Sequence, residues 1–256
     1  MDFPAHFRAV IDGHLATHPD AQLYFLLDHA GLPGLLRKLD SHRLQWVSLF
    51  DGTRESGALA VAPILVFVGR MESQLPRLFF DWVAQHGAYA SAVTLLDSPL
   101  AIDVLQRRLV ARLESKLSEN MDVMLRFFDP RILAQLRTTL TPEQAAAFFG
   151  VAAHWWYLDR AGVLWDFDTN FASTDAAEVP LVLCPEQEFA LIDASEADQT
   201  LALLNRKLPN LMEKIPLPER YEKVFNRISD AKKLGLESIH DFMIHIVKSS
   251  EFINSR

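Results

Sequence analysis

The chain reads as an α/β protein, a mixed, largely parallel sheet flanked by helices, with a smaller C-terminal α-helical lobe. Three observations lead there. From residue 20 to about residue 140, short apolar runs alternate with amphipathic ones, the pattern of strands layered with helices. Several of those runs are apolar throughout rather than at every second residue, as in strands covered on both faces. Beyond residue 180 the apolar residues fall at helical spacing instead.

The elements follow in order. Tyr24-Phe-Leu-Leu-Asp28 closes a strand over 23–28, and an amphipathic stretch near 32–40 reads as the first helix after it. Apolar runs at 45–50 and 62–68, the latter holding Ala62-Pro-Ile-Leu-Val66, are strands, and 74–85 is a helix. Ala92-Val-Thr-Leu-Leu-Asp97 ends a strand over 91–97, followed by a helix over 99–117. Val123 to Phe128 is too short and too apolar for an exposed element, so 122–128 is expected to be a strand buried on both faces. Asp129 then serves as N-cap and Pro130 takes the first helical position of a helix through 139. Thr141-Pro-Glu-Gln144 is a capping box that launches a short helix through Phe149. Asp159-Arg-Ala-Gly162 is turn-like between the β-favouring runs around His154-Trp-Trp-Tyr and Leu164-Trp-Asp-Phe, which predicts an antiparallel hairpin.

The polar stretch from Asp168 to Pro180 is the expected linker, separating a lobe over 1–168 from a helical lobe over 181–256. Helical spacing recurs there in Leu201, Leu204, Leu208 and Leu211, in Tyr221, Val224, Phe225 and Ile228, and in Ile239, Phe242, Met243 and Ile246. Gly235 and Ser238 supply the stop and cap signals between the last two helices. So small a lobe buries its apolar surface poorly, and a partner-covered face is expected on it.

Three strands end on an aspartate. If the sheet were parallel, Asp28, Asp97 and Asp129 would gather at one carboxyl edge, where open α/β sheets bind ligands. Capping of the following helices accounts for the same residues. The densest cluster is Arg126-Phe-Phe-Asp-Pro-Arg131, in which Arg126 and Arg131 bracket Phe128, Asp129 and Pro130. An arginine in a buried strand needs an acidic partner, so the cluster is read as a buried ion network. His14 and His18 share a helix face and are read as surface residues. Asp166 and Asp168 are read as a solvated strand end, and Trp155, Trp156 and Trp165 as packing residues.

Several function classes fall away. A net charge of -8 with scattered Lys and Arg gives no electrostatic footprint for nucleic acid, which is not expected as a partner. The N-terminal residues lack a secretory pattern, and the longest apolar run, Ala58 to Val68, is interrupted by Pro63 and too short to span a bilayer. A cytoplasmic protein without a membrane partner is expected. A lone cysteine, Cys184, permits neither an internal disulfide nor a thiolate cage. The sequence holds no Gly-rich phosphate loop, no G-x-S-x-G and no H-E-x-x-H. No cofactor, metal or catalytic set is therefore expected. The alternative is a phosphoesterase-like hydrolase holding a divalent ion on Asp28, Asp97 and Asp129, with Arg126 on the phosphate.

The order of these segments resembles the type VI secretion effector chaperone or adaptor family, first catalogued as a domain of unknown function. The resemblance covers roughly residues 20 to 165. It rests on Tyr24 to Asp28 with Ala30, Trp46-Val-Ser-Leu-Phe-Asp-Gly-Thr53 with Glu55, Ala62 to Val66, Leu95-Leu-Asp-Ser98, Arg126 to Arg131 with Leu133, and Phe148-Phe-Gly150 to Trp155. The Arg126 to Arg131 segment is its most specific part, and Val151-Ala-Ala stands where the family's usual proline follows Phe-Phe-Gly. The resemblance implies a non-enzymatic adaptor that binds one effector in the cytoplasm and helps mount it on a VgrG-type spike. On that reading Arg126, Asp129 and Arg131 hold the scaffold, while Tyr221, Phe225 and Phe242 supply partner contacts.

Overall fold

Residues 3–69, 74–175 and 180–249 are described by a computed structural model. In chain order the elements are α1 (Phe3–Thr17), β1 (Leu23–Asp28), α2 (Leu35–His42), β2 (Gln45–Ser48), β3 (Pro63–Gly69), α3 (Gln74–Gly87), β4 (Val93–Asp97) and α4 (Ile102–Ala111). Then come β5 (Glu114–Lys116), β6 (Asp122–Met124), α5 (Pro130–Thr139), α6 (Pro142–Phe149), β7 (His154–Leu158), β8 (Leu164–Asp168) and β9 (Leu181–Val182). The chain ends in α7 (Pro185–Lys207), α8 (Pro209–Met212), α9 (Leu217–Lys233) and α10 (Ile239–Lys248). It divides into two units, Met1–Glu188 and Phe189–Arg256. The boundary falls beyond the expected linker because Leu181 and Val182 pair with β5 in the first unit. Residues 176–179 of that linker lie outside the described residues.

The main sheet runs β2-β3-β1-β4-β7-β8, and every neighbouring pair is antiparallel. The expectation of a largely parallel sheet is therefore corrected. A continuously apolar run reports that both faces of a strand are covered, and helices cover both faces of the central strands here, so the run carries no information about direction. A second sheet, β6-β5-β9, contains the one parallel pair among the described residues, β5 with β9.

Register assigns the faces. Phe25 pairs with Leu95, which pairs with Trp156, so all three side chains share a face. Phe25 packs on Phe80 at 5.2 Å and Phe80 on Phe7 at 4.4 Å, which puts α1 and α3 on that side. All three phenylalanines are fully buried, and at about 1.5–3 kcal/mol for each large apolar side chain they are a principal bond between α1, α3 and the sheet. Tyr24, one residue along, faces the opposite way with Leu96 and Trp155. Its hydroxyl donates to the Leu100 carbonyl just before α4, and the Trp155 indole donates to the Phe149 carbonyl at the end of α6. Helices α4 to α6 thus belong to this second face.

The segment 125–128 is not a strand. β6 stops at Met124 and is mostly exposed, after which a turn carries the chain to Asp129, with the Asp129 N–H donating to the Arg126 carbonyl at 2.9 Å. Phe127 and Phe128 reach the core from that turn. Their apolarity records burial, which a turn achieves as well as a strand. The helix expected over 99–117 ends at Ala111 and β5 follows it. The expected hairpin forms as β7 and β8, with Gly162 at φ 77° and the Asp159 carboxylate accepting the Ala161 and Val163 N–H groups. A Cβ at Gly162 would lie 2.9 Å from the Ala88 carbonyl oxygen, so glycine is required twice over.

In the second unit, Ala197, Leu204, Met212, Ile215, Val224, Ile228, Ala231, Phe242 and Ile246 form one core. The Ser238 hydroxyl accepts the Asp241 N–H to start α10, and Gly235 at φ 77° follows α9. No helix among the described residues is long and apolar enough to cross a membrane.

Candidate functional site

The cluster singled out in the sequence builds a corner where α5 begins. Asp129 caps α5 through its Oδ1, which accepts the Arg131 N–H at 3.0 Å, and Pro130 follows at the helix start. The same carboxylate takes a fork from the Arg131 guanidinium, Nε at 2.8 Å and Nη2 at 2.6 Å. Asp129 is 3% exposed, whereas the Arg131 side chain is partly in solvent. Arg126 reaches back to the end of β1, its Nη2 lying 2.9 Å from Asp28 Oδ2, while Asp28 Oδ1 accepts the Ala30 N–H. Burial pushes the Asp28 carboxyl above the usual carboxylate range, the Arg126 charge and the Ala30 N–H oppose it, and the nearby Asp129 charge adds to the rise.

Arg126 corrects its own expectation. Its side chain is 50% exposed on a turn, with the guanidinium 5.3 Å from the Phe128 ring centre. The corner therefore has buried carboxylates and half-solvated cations, an arrangement that fixes β1 to α5 and presents guanidinium edges at the surface. The expected ion network exists, with its acids inside and its bases at the rim.

The three strand-end aspartates are not brought together. Leu23 pairs with Asp97, so Asp28 lies five residues further along β1, about 17 Å at the usual strand rise and on the opposite face. Asp97 instead accepts the Gln22 N–H and pairs with His14 Nε2 at 2.9 Å. Antiparallel pairing is the reason, because it sends successive strand ends to opposite edges. Among the described residues no group of three or more His, Cys, Asp or Glu side chains could hold a metal ion. The arrangement required for the phosphoesterase alternative is not formed.

At the Asp97 end His14 stacks on His18 at 4.3 Å and meets Trp156 edge-on at 4.7 Å, and His154 hydrogen-bonds Asp168. Burial holds the His14 imidazole below the usual histidine range, the Asp97 contact works against this, and the His154 and His18 charges add to the lowering. His18 is exposed as expected, while His14 is largely covered. Trp155 and Trp156 are buried packing residues, and Trp165 stands half exposed with its indole donating to Asp159. Cys184 is exposed.

The strongest polar site escaped the sequence reading. The Arg112 side chain is 1% exposed and forks onto Asp175 at 2.7 and 3.0 Å. It also donates to the carbonyls of Arg108, Ala147 and Phe148 at 2.6 to 3.0 Å. One guanidinium thus ties the end of α4 to the end of α6, where unsatisfied carbonyls favour a cation. The residue sits in a run of arginines, Arg107, Arg108 and Arg112, and sequence spacing alone does not mark which one is buried.

In the helical unit the three proposed contact residues separate. Phe242 is fully buried in the core, so it is not a surface contact. Tyr221 is partly buried and stacks on Phe225 at 5.9 Å, and Phe225 is 47% exposed. A helix places its apolar stripe inward at a spacing that both core and contact residues satisfy, which is why the pattern did not distinguish Phe242 from Phe225.

No curated protein and no solved structure matches the chain. Residues 23–147, from the start of β1 into α6 and including Asp28, Arg112 and the whole Arg126 to Arg131 corner, match the model of a family described as a domain of unknown function, DUF4123.

Proposed function

We propose that this chain is a non-enzymatic cytoplasmic adaptor that binds a secreted effector and promotes its loading onto a VgrG-type spike of a type VI secretion system. The observation that carries the reading is the family match over residues 23–147, which contains all the segments whose order resembles the effector chaperone family except Phe148 to Trp155. The chemistry of the matched region agrees with a scaffold role. Asp28 is engaged by Arg126 and the Ala30 N–H, and Asp129 by Arg131 and the start of α5, so these acids are occupied in holding β1, the turn and α5. Outside the match, Phe225 with the Tyr221 ring beneath it offers an aromatic contact on the helical unit of the kind protein interfaces favour.

The test is a pulldown of the tagged protein from its native cytoplasm, with the bound proteins identified by mass spectrometry. The reading expects one effector, a VgrG-type spike protein, or both, in amounts comparable to the bait. Phe225→Asp is expected to reduce effector recovery without unfolding the protein. Recovery of neither class, together with a rise in melting temperature on adding a divalent metal, would redirect attention to enzyme chemistry.

A further inference from the structure

Within the helical unit, the first turns of α7 that belong to it and the turn after α9 line an open groove of about 510 Å³, bounded by Phe189, Ile192, Asp193, Glu196, Lys232 and Leu236. Phe189 is 70% exposed and Ile192 61%, and their spacing of three residues sets them side by side on one helix face. Single exposed apolar residues are ordinary on protein surfaces, but a pair set in a concavity of binding-cleft size is the mark of a contact site.

The polar lining has a definite sign. Lys232 Nζ lies 2.5 Å from Asp193 and 2.7 Å from Glu196, so its single charge is shared by two carboxylates, and Glu237 adds a third acid to the same groove. Acid is in excess around an apolar floor.

We propose that this groove docks a helical segment of a partner protein carrying two large apolar side chains one turn apart, flanked by lysine or arginine. The Phe189 and Ile192 pair matches anchors spaced three or four residues apart on such a helix. The excess acid attracts basic flanks and repels acidic ones. A second copy of this chain is a poor occupant, since each copy carries a net charge of -8. The inference deepens the adaptor reading and rests on it for which protein supplies the segment, but the chemistry of the groove is testable without knowing that protein.

The probe is a fluorescein-labelled helical peptide of leucine and lysine, about 14 residues or four turns long, titrated into the full chain by fluorescence anisotropy beside a leucine and glutamate counterpart. The lysine peptide is expected to saturate at one per chain, and Ile192→Glu or Glu237→Lys to weaken it about tenfold or more. Leu217→Glu is the control, because Leu217 is 53% exposed at the far end of α9, about 22 Å along the helix from Lys232. It is expected to bind as the unaltered chain does, and thermal melts of all variants are expected to coincide. Equal binding by Ile192→Glu would mean general attraction to an acidic chain and would overturn the proposal. So would equal affinity for the glutamate peptide, or a dimer that Ile192→Glu converts to monomer. A failed peptide titration leaves the adaptor reading to be judged by effector recovery, and a failed recovery leaves the peptide result intact.

Discussion

Replacing Arg112 by alanine is the most demanding stability test of the first unit. The guanidinium is almost wholly buried and reaches five oxygen atoms, two on Asp175 and one each on the Arg108, Ala147 and Phe148 carbonyls. Removing one partner of a buried ion pair costs about 3–5 kcal/mol. The Asp175 side chain is 28% exposed and regains part of its hydration, which moves its share toward the low end. The three carbonyls lose a charged donor at about 1 kcal/mol or more each. Together these give about 6 kcal/mol, which at about 2–4 °C per kcal/mol for a unit of this size lowers the melting temperature by about 12–24 °C. Urea unfolding followed by circular dichroism reads the loss as a lower midpoint at unchanged slope. Arg112→Lys keeps the charge but not the planar fork, and is expected to recover less than half of the loss. An Arg112→Ala chain within about 1 kcal/mol of the original, or full stability with lysine, would refute the claim that this fork clamps α4 to α6.

Phe242→Ala is expected to destabilise the helical unit by about 3–5 kcal/mol, against less than about 1 kcal/mol for Phe225→Asp, and coincident melts would contradict the core assignment. Asp129→Ala removes a helix cap and is expected to cost about 1–2 kcal/mol, with Asp129→Asn recovering most of it in the same assay. His14 is held below its ordinary value of 6.5 in the folded chain, so the unfolded chain takes up the proton first as pH falls. The stability from a neutral, buried His14 is thus complete above 6.5 and lost on acidification below it. His14→Gln is expected to flatten the stability profile on acidification below about pH 6.5, and an unaltered profile would show that burial of His14 has no part in it.

Much of the first unit was legible because its local signals have local causes. The Asp129 cap with Pro130, the Thr141 capping box and the Asp159 to Gly162 turn are set by side chains within a few residues of the backbone they satisfy. Strand direction was not legible, since β1 and β4 are apolar for reasons of coverage and their antiparallel pairing is decided by the path of the chain between them. The same blindness separated Asp28 from Asp97 and dissolved the expected cluster. The Arg126 partner, Asp28, lies 98 residues away, and Asp175 lies 63 residues from Arg112. Such pairs leave no mark in either local sequence. Within the helical unit the spacing located the helices, whereas which aromatic faces inward depended on the packing of α9 against α10.

Deleting the gene puts effector loading to the test in the cell. Secreted and cytoplasmic proteins of the deletion strain are compared by quantitative mass spectrometry with those of the parent and of a strain complemented with the intact chain. One effector is expected to disappear from the medium, remain in the cells and return on complementation, while other effectors of the same system are still secreted. Unchanged secretion of every effector would contradict a role in loading.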